Sequence, residues 1–146
     1  MSVMVHDTNR RPAAAAALSL SRQAATAVAA GRVALGVAAL IRPSVPARPW
    51  VGASADELGA RVFGRALGAR DIVLGLGALT ALLRPSASGE AAATWVAAGA
   101  LSDVLDTAIT AGAWPELPPA TRWLIAASAG GAAAAGAAGA VALLRD

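Results

Sequence analysis

The eight prolines of this chain lie only at the ends of, or between, four long stretches rich in alanine, glycine and leucine. Proline lacks a backbone N–H and breaks a helix interior, so the pattern predicts four uninterrupted helices. An apolar helix of about twenty residues crosses a bilayer core of roughly 30 Å. The chain is therefore predicted to be all-α, an integral membrane four-helix bundle with an up-down-up-down arrangement.

The composition agrees with a membrane location. The chain has 146 residues, is 57% hydrophobic, and has a mean hydropathy of +0.59, which is more apolar than an ordinary soluble domain. An alanine-rich soluble helical bundle is the alternative. The absence of cysteine excludes disulfides and thiolate metal sites. All twelve basic residues are arginines dispersed along the chain, so no nucleic-acid partner is expected.

The predicted domain organisation is simple. A polar, flexible tail of residues 1–12 precedes one transmembrane domain of residues 13–146, with spans at about 23–41, 62–83, 91–113 and 120–144. Arg10 and Arg11 before an apolar run also fit a cleaved secretion signal. Because Arg22 interrupts that run and the run continues to Ile41, an uncleaved first span is preferred.

Local motifs predict the connector between the first two spans. Pro43, Pro46 and Pro49 favour an extended segment. Ser54 and Glu57 have the spacing of a capping box, which predicts a helix start near Ala55. Glu57 would also pair with Arg61 four residues later, an arrangement that stabilises a first helical turn.

Six charged residues interrupt the predicted spans, and their positive and negative charges balance: Arg32, Arg65, Arg70, Asp71, Asp103 and Asp106. At about 2.5 to 3.5 kcal/mol each, six lipid-facing charges would oppose insertion by roughly 15 to 20 kcal/mol. Counting at 1.5 Å per residue places Arg32, Asp71 and Asp103 within roughly 5 Å of one plane. We therefore expect these side chains to face inward and to pair.

Small residues mark the expected packing faces. Gly64, Gly68 and Gly75 share a face of the second span with Asp71, which predicts a close helix contact. In the alanine-rich fourth span, Gly131, Ala135 and Gly139 form a similar stripe. This stripe predicts self-association or docking into a larger membrane complex.

Three functions are compatible with the charged cluster. An accessory or scaffold membrane protein would use it as a buried network that fixes helix register. A proton, ion or small-solute pathway would be lined by Asp103, Asp106 and Thr110. A magnesium-dependent lipid-diphosphate enzyme would use Asp103 and Asp106 as metal ligands. The single histidine, His6, lies in the polar tail, so no catalytic, metal or cofactor residue is assigned and no cofactor is expected.

Charge and tryptophan positions predict the orientation. Four spans place both termini on one side, with arginines 10, 11, 22, 84 and 145, against arginines 42, 48, 61 and 122 on the other. This small excess predicts that both termini lie in the cytoplasm. The use of arginine for every basic residue, beside abundant alanine, is typical of a high-GC bacterial genome, so the membrane is expected to be a bacterial inner membrane. Trp50, Trp114 and Trp123 would then lie at the outer interface and Trp95 at the inner one.

The charged run has one recognisable resemblance. Arg65-x-x-Gly68-Ala-Arg70-Asp71-x-x-Leu74-Gly75-Leu-Gly, followed by Asp103-x-x-Asp106, resembles the core of small four-helix integral membrane proteins of unknown function from high-GC bacteria. Residues 32–113 carry it. The resemblance implies a four-helix bundle in a bilayer and implies no activity, substrate or cofactor.

Overall fold

The structure is a computed structural model that describes residues 10–84 and 89–144. All regular structure in these ranges is helical, which confirms the predicted all-α class. The α-helices are α1 (Arg10–Ile41), α2 (Ser44–Val51), α3 (Leu58–Leu83), α4 (Gly89–Gly112) and α5 (Arg122–Leu143). Short 3₁₀ helices at Gly52–Asp56 and Trp114–Glu116 precede α3 and α5.

The first helix is longer than predicted. It has 32 residues, which corresponds to about 48 Å at 1.5 Å per residue. Residues 10–12 of the predicted flexible tail belong to its first turn, where Pro12 is tolerated because first-turn N–H groups have no intrahelical partner. Residues 1–9 of that tail lie outside the described residues.

The proline-rich connector is helical, which corrects the prediction of an extended segment. Pro46 lies in the first turn of α2, where a missing N–H costs nothing, and Pro49 is accommodated inside this eight-residue helix. Gly52 ends α2 with a φ of +63°, a conformation that side chains with a Cβ rarely adopt. The connector is therefore a short helix that turns back towards α3.

The predicted capping box does not form. Ser54 lies in the 3₁₀ helix, and its carbonyl accepts the Glu57 N–H at 3.1 Å. Glu57 is the extended residue before α3 and makes no side-chain cap, so the helix starts at Leu58 and not near Ala55. No ion pair joins Glu57 to Arg61 among the described residues, because Glu57 is outside the helix.

Three helices of the described chain are long and apolar enough to cross a membrane: Leu18–Ile41, Leu58–Leu83 and Ile125–Leu143. Four such spans were predicted. The 24-residue α4 has the necessary length of about 36 Å, but Asp103 and Asp106 lie in its second half and reduce its apolar character. By composition alone, α4 is therefore not a candidate span.

Glycines bring α1 and α3 into close antiparallel contact. A Cβ added to Gly36 would lie 2.5 Å from the Gly68 carbonyl oxygen, and one added to Gly68 would lie 2.7 Å from that of Gly36. Further along the seam, a Cβ on Gly75 would lie 2.7 Å from the Ala29 oxygen. Gly64 contacts Pro43 at the end of the same seam. Only glycine permits this backbone approach.

The α5 stripe is divided between the interior and the surface. Gly139 packs inside the chain, where an added Cβ would meet Val96 of α4 at 3.7 Å and Ala25 of α1 at 3.9 Å. Gly131 is exposed with nothing within 4 Å of an added Cβ, and Ala135 is also exposed. The chain's own helices therefore cover one end of the stripe.

The core consists mainly of small side chains, whereas many large apolar side chains point outward. Most members of the buried cluster are alanines, together with Leu82, Val96 and Leu143. Ile109 and Phe63 are each 71% exposed, as is Trp123. This distribution is the reverse of that in a soluble protein, where large apolar residues are the ones most often buried.

Candidate functional site

Five of the six predicted charged residues form one network across three helices. Arg32 lies in α1, Arg70 and Asp71 are consecutive residues of α3, and Asp103 and Asp106 are one turn apart on α4. The spacing of three residues places both α4 carboxylates on one helix face. The network follows the order Asp103, Arg32, Asp71, Arg70, Asp106.

Arg32 joins α1 to both neighbouring helices. Its Nη1 lies 3.1 Å from Oδ1 of Asp71, and its Nη2 donates to Oδ2 of Asp103. Counting the helix rise at 1.5 Å per residue predicted that Arg32 would pair with these two acids. The same Nη2 donates to the Gly99 carbonyl at 2.8 Å. The side chains of Arg32, Asp71 and Asp103 are only 12%, 15% and 14% exposed, so the ions are largely withdrawn from the surface.

The absence of a side chain at Gly99 makes room for the Arg32 guanidinium. A Cβ at this buried position would lie 3.3 Å from Arg32 Nε. Sequence reasoning missed Gly99, because a backbone carbonyl acceptor carries no side-chain signal. The only available hint was its spacing of four residues before Asp103, which puts both on one face of α4.

Arg70 joins α3 to α4. Its Nη1 and Nη2 lie 3.2 and 2.8 Å from Oδ1 and Oδ2 of Asp106, a two-point contact. Its Nη2 is also 3.2 Å from Oδ1 of Asp71, the oxygen that Arg32 contacts. Asp71 is thus shared between two guanidiniums. Planar, bidentate contacts of this kind are the ones that arginine makes with carboxylates.

Arg65 does not belong to the network, contrary to the prediction. Its Nε donates to the carbonyl of Leu40 near the end of α1 at 3.2 Å. Arg65 precedes Asp71 by six residues, which is about 9 Å along the helix and about 240° around it. The network therefore contains two arginines and three aspartates, and its formal charges do not balance as the sequence suggested.

The Thr110 hydroxyl, which was grouped with the acidic side chains, bonds to a backbone carbonyl and to an indole. It donates to the Asp106 carbonyl at 2.6 Å and accepts the Trp50 indole N–H at 3.1 Å. This second bond ties α2 to the end of α4. Thr110 therefore helps to fix the connector.

A small cavity adjoins the network. It measures about 30 Å³ and is lined by Arg32 and Asp103 together with apolar residues of α1, α3, α4 and α5, including Trp95. At about 10 to 15 Å³ for each water, this volume holds roughly two water molecules. The cavity is too small for an organic solute.

The aspartates of the network face guanidiniums. In residues 10–84 and 89–144 there is no group of three or more His, Cys, Asp or Glu side chains that could hold a metal ion. Asp103 and Asp106, which the lipid-diphosphate hypothesis required as metal ligands, each contact an arginine. The geometry therefore gives no support to that hypothesis.

No protein-family model, curated protein or solved structure matches this chain. The resemblance to small membrane proteins of high-GC bacteria therefore stays a prediction, and we infer the function from the geometry of the chain itself.

Proposed function

We propose that this chain is a multi-pass protein of a bacterial inner membrane that acts as an accessory or scaffold protein. Its four long helices cross the bilayer as an up-down-up-down bundle, and the arginine–aspartate network fixes their register. The observation that carries this proposal is the inverted distribution of side chains: a core largely of alanines beneath exposed large apolar residues. Lipid tails solvate such a surface, whereas water does not.

The ion pairs explain how α4 can be the fourth span. Asp103 pairs with Arg32 and Asp106 pairs with Arg70, so neither carboxylate faces the lipid alone. Unpaired charges at a helix centre cost about 2.5 to 3.5 kcal/mol each. α4 would therefore insert together with α1 and α3, which supply the partners that its own composition requires.

The antiparallel contacts support the proposed topology. The contacts of Gly36 with Gly68 and of Gly75 with Ala29 pair α1 with α3 in opposite directions. Those of Gly136 with Ala100 and of Gly139 with Val96 do the same for α5 and α4. Arg70 contacts Asp106 and Gly77 approaches Trp95, so α3 and α4 also run in opposite directions. These contacts support a bundle in which consecutive long helices alternate in direction, so that the start of α1 and the end of α5 would lie on one side.

Three tryptophan side chains lie at the end of the bundle where α1 and α4 finish. Trp114 and Trp123 pack edge to face with ring centroids 4.8 Å apart, Arg122 lies 5.4 Å from the Trp114 ring, and Trp50 bonds to Thr110. Tryptophans are enriched at membrane interfaces. We propose that this end faces the outside and that both termini are cytoplasmic.

Two measurements test the proposed membrane topology. Alkaline carbonate washing should leave the protein in the membrane fraction. Because the chain has no cysteine, single cysteines report on sidedness directly. An impermeant maleimide should label the Ser54→Cys and Glu116→Cys variants in intact spheroplasts and the Glu90→Cys variant only after lysis. Release by carbonate would contradict membrane residence, and labelling of all three in intact spheroplasts would contradict spanning by α3 and α4.

The scaffold role is favoured because every carboxylate of the network is paired. Each aspartate contacts at least one guanidinium, and the adjoining cavity holds only about two waters. Such a cluster would hold three helices together without offering a passage. We propose that the protein performs this role in association with itself or with a larger membrane complex.

A proton pathway is the second candidate, and one specific observation favours it. The network has three carboxylates and two guanidiniums, and the water-sized cavity touches both Arg32 and Asp103. An excess of one carboxylate is most easily neutralised in a low dielectric by a bound proton or cation. Proton flux through liposomes distinguishes this candidate from the scaffold, because only the pathway requires movement of charge.

A further inference from the structure

Four arginines surround one open cavity at the end of the molecule where α1 finishes and α3 begins. Arg42 follows α1, Arg48 lies on α2, and Arg61 and Arg65 lie in the first turns of α3. The cavity has a volume of about 470 Å³, which is within the size range of small-ligand sites. We call it the arginine pocket. It forms because the helical connector turns back over α3.

The arginine pocket has a surplus of positive charge. Among the described residues that line it, Asp56 is the only acidic one, and its Oδ2 lies 2.8 Å from Nη2 of Arg48. A hydrogen bond from Ser44 and then the guanidinium of Arg48 lower the pKa of Asp56, and the charge of Arg61 adds to this effect. Asp56 is therefore ionised at neutral pH. One carboxylate against four guanidiniums leaves a formal excess of three positive charges.

Two of the four guanidiniums have no hydrogen-bond or ion-pair partner among the described residues. Arg48 is engaged with Asp56, and Arg65 donates through Nε to the Leu40 carbonyl. Arg42 and Arg61 are exposed, and neither has an ion-pair partner among the residues that the structure describes. An anion in the pocket would satisfy both of them at once.

We infer that the arginine pocket binds the phosphate group of an anionic phospholipid. The planar guanidinium fork matches phosphate oxygens in two-point contacts. Basic pockets between transmembrane helices bind anionic headgroups on the cytoplasmic side of membranes, and the same pairing of guanidinium with phosphate applies at the outer face, where the proposed topology puts this pocket. The surplus of charge selects lipids with a net negative headgroup over zwitterionic ones.

Apolar side chains at the edge of the pocket favour a lipid over free phosphate. Ile41 and Val45 also line the cavity and are 69% and 60% exposed. Ile41 is the last residue of the apolar span of α1, so the pocket would lie where hydrocarbon meets headgroups. This step rests on the proposed membrane insertion. Acyl chains would cover the apolar edge while the phosphate contacts the arginines.

The test compares lipid retention in nanodiscs that contain equal amounts of phosphatidylcholine and phosphatidylglycerol. The protein is released into mild detergent, and its bound lipids are measured by native mass spectrometry. We expect enrichment of phosphatidylglycerol. The Arg42→Gln/Arg61→Gln variant should weaken this binding roughly 25-fold, since each arginine near the surface contributes about fivefold. The charge-matched Arg84→Gln/Arg145→Gln variant should retain it.

Each other outcome counts against the inference in a different way. If Arg42→Gln/Arg61→Gln and Arg84→Gln/Arg145→Gln retain equal amounts of phosphatidylglycerol, the arginine pocket is not the lipid site. Calorimetric binding of inorganic phosphate in phosphatidylcholine nanodiscs, without enrichment of phosphatidylglycerol, would replace the lipid with a soluble anion. Failure of the protein to enter nanodiscs would contradict the membrane proposal itself. Insertion without selective lipid retention would contradict the arginine pocket alone.

Discussion

Arg70 holds Asp106 at two points, with Nη1 and Nη2 at 3.2 and 2.8 Å from the two carboxylate oxygens. This contact joins α3 to α4. A lysine has a single ammonium group, so it keeps the charge and loses the two-point geometry. Replacement of Arg70 by lysine therefore separates the effect of the charge from the effect of the two-point geometry.

The Arg70→Lys variant should be less stable than the wild type by about 1.5 to 3 kcal/mol, the range for hydrogen bonds to charged groups. Thermal unfolding in detergent measures the difference. Arg84→Lys is the matched control, because Arg84 is an exposed arginine directly after the same helix. Equal melting temperatures for Arg70→Lys and the wild type would show that the two-point contact does not stabilise the helix pair.

Removal of Arg32 should be more costly, because it leaves Asp103 without its guanidinium in a largely buried position. Breaking one side of a buried ion pair costs about 3 to 5 kcal/mol. We expect the Arg32→Met variant to accumulate poorly in the membrane and Arg32→Met/Asp103→Asn to recover part of the loss. Quantitative immunoblotting of membrane fractions measures both. A double variant no more abundant than the single one would argue against direct coupling.

The sequence predicted the centre of the network better than its edge. Counting the helix rise along three helices was sufficient to predict that Arg32, Asp71 and Asp103 pair. Opposite charges at the same depth in a membrane pair because an unpaired charge there is costly. Depth says nothing about direction around the helix. Arg65 lies outside the network because it is about 9 Å along α3 and about 240° around it from Asp71, and its side chain reaches Leu40.

In the connector, the structure differs from what short sequence motifs predicted. Ser54 and Glu57 have capping-box spacing. However, Gly52 with its positive φ ends α2, Ser54 belongs to the 3₁₀ helix that follows, and Glu57 is the extended residue before α3. The prolines of α2 were expected to prevent a helix. A proline in the first turn is compatible with one, and the Pro49 carbonyl accepts a hydrogen bond from the Thr121 hydroxyl at 2.5 Å. Such long-range contacts cannot be deduced from local sequence.

The glycine seam between α1 and α3 gives a prediction with an internal control. In Gly68→Ala, the new methyl group would lie 2.7 Å from the Gly36 oxygen and 2.8 Å from Cβ of Ala39. Overpacking of this kind costs about 1 to 3 kcal/mol. Gly31→Ala adds the same methyl group to α1 with nothing within 4 Å, so it should not destabilise the protein. Unfolding in detergent compares the two variants, and equal stabilities would exclude a tight seam at Gly68.

The divided stripe of α5 predicts different effects at its two ends. Gly131→Leu places a bulky side chain on an exposed surface and should abolish crosslinked dimers or copurifying partners while the monomer stays inserted. Gly139→Leu would collide with Val96 and Ala25 and should lower abundance instead. Crosslinking in membranes and immunoblotting measure these outcomes. Unchanged crosslinking of Gly131→Leu would remove this end of α5 from the interface.

The most direct test of the scaffold role is proton flux in liposomes, measured together with membrane abundance for the wild type and Asp103→Asn. The amide keeps the shape of the side chain but loses the charge that faces Arg32. For a scaffold, we predict that wild-type flux equals that of empty liposomes and that Asp103→Asn lowers membrane abundance. Wild-type flux above the empty-liposome level, abolished in Asp103→Asn at unchanged abundance, would contradict the scaffold role and establish the proton pathway.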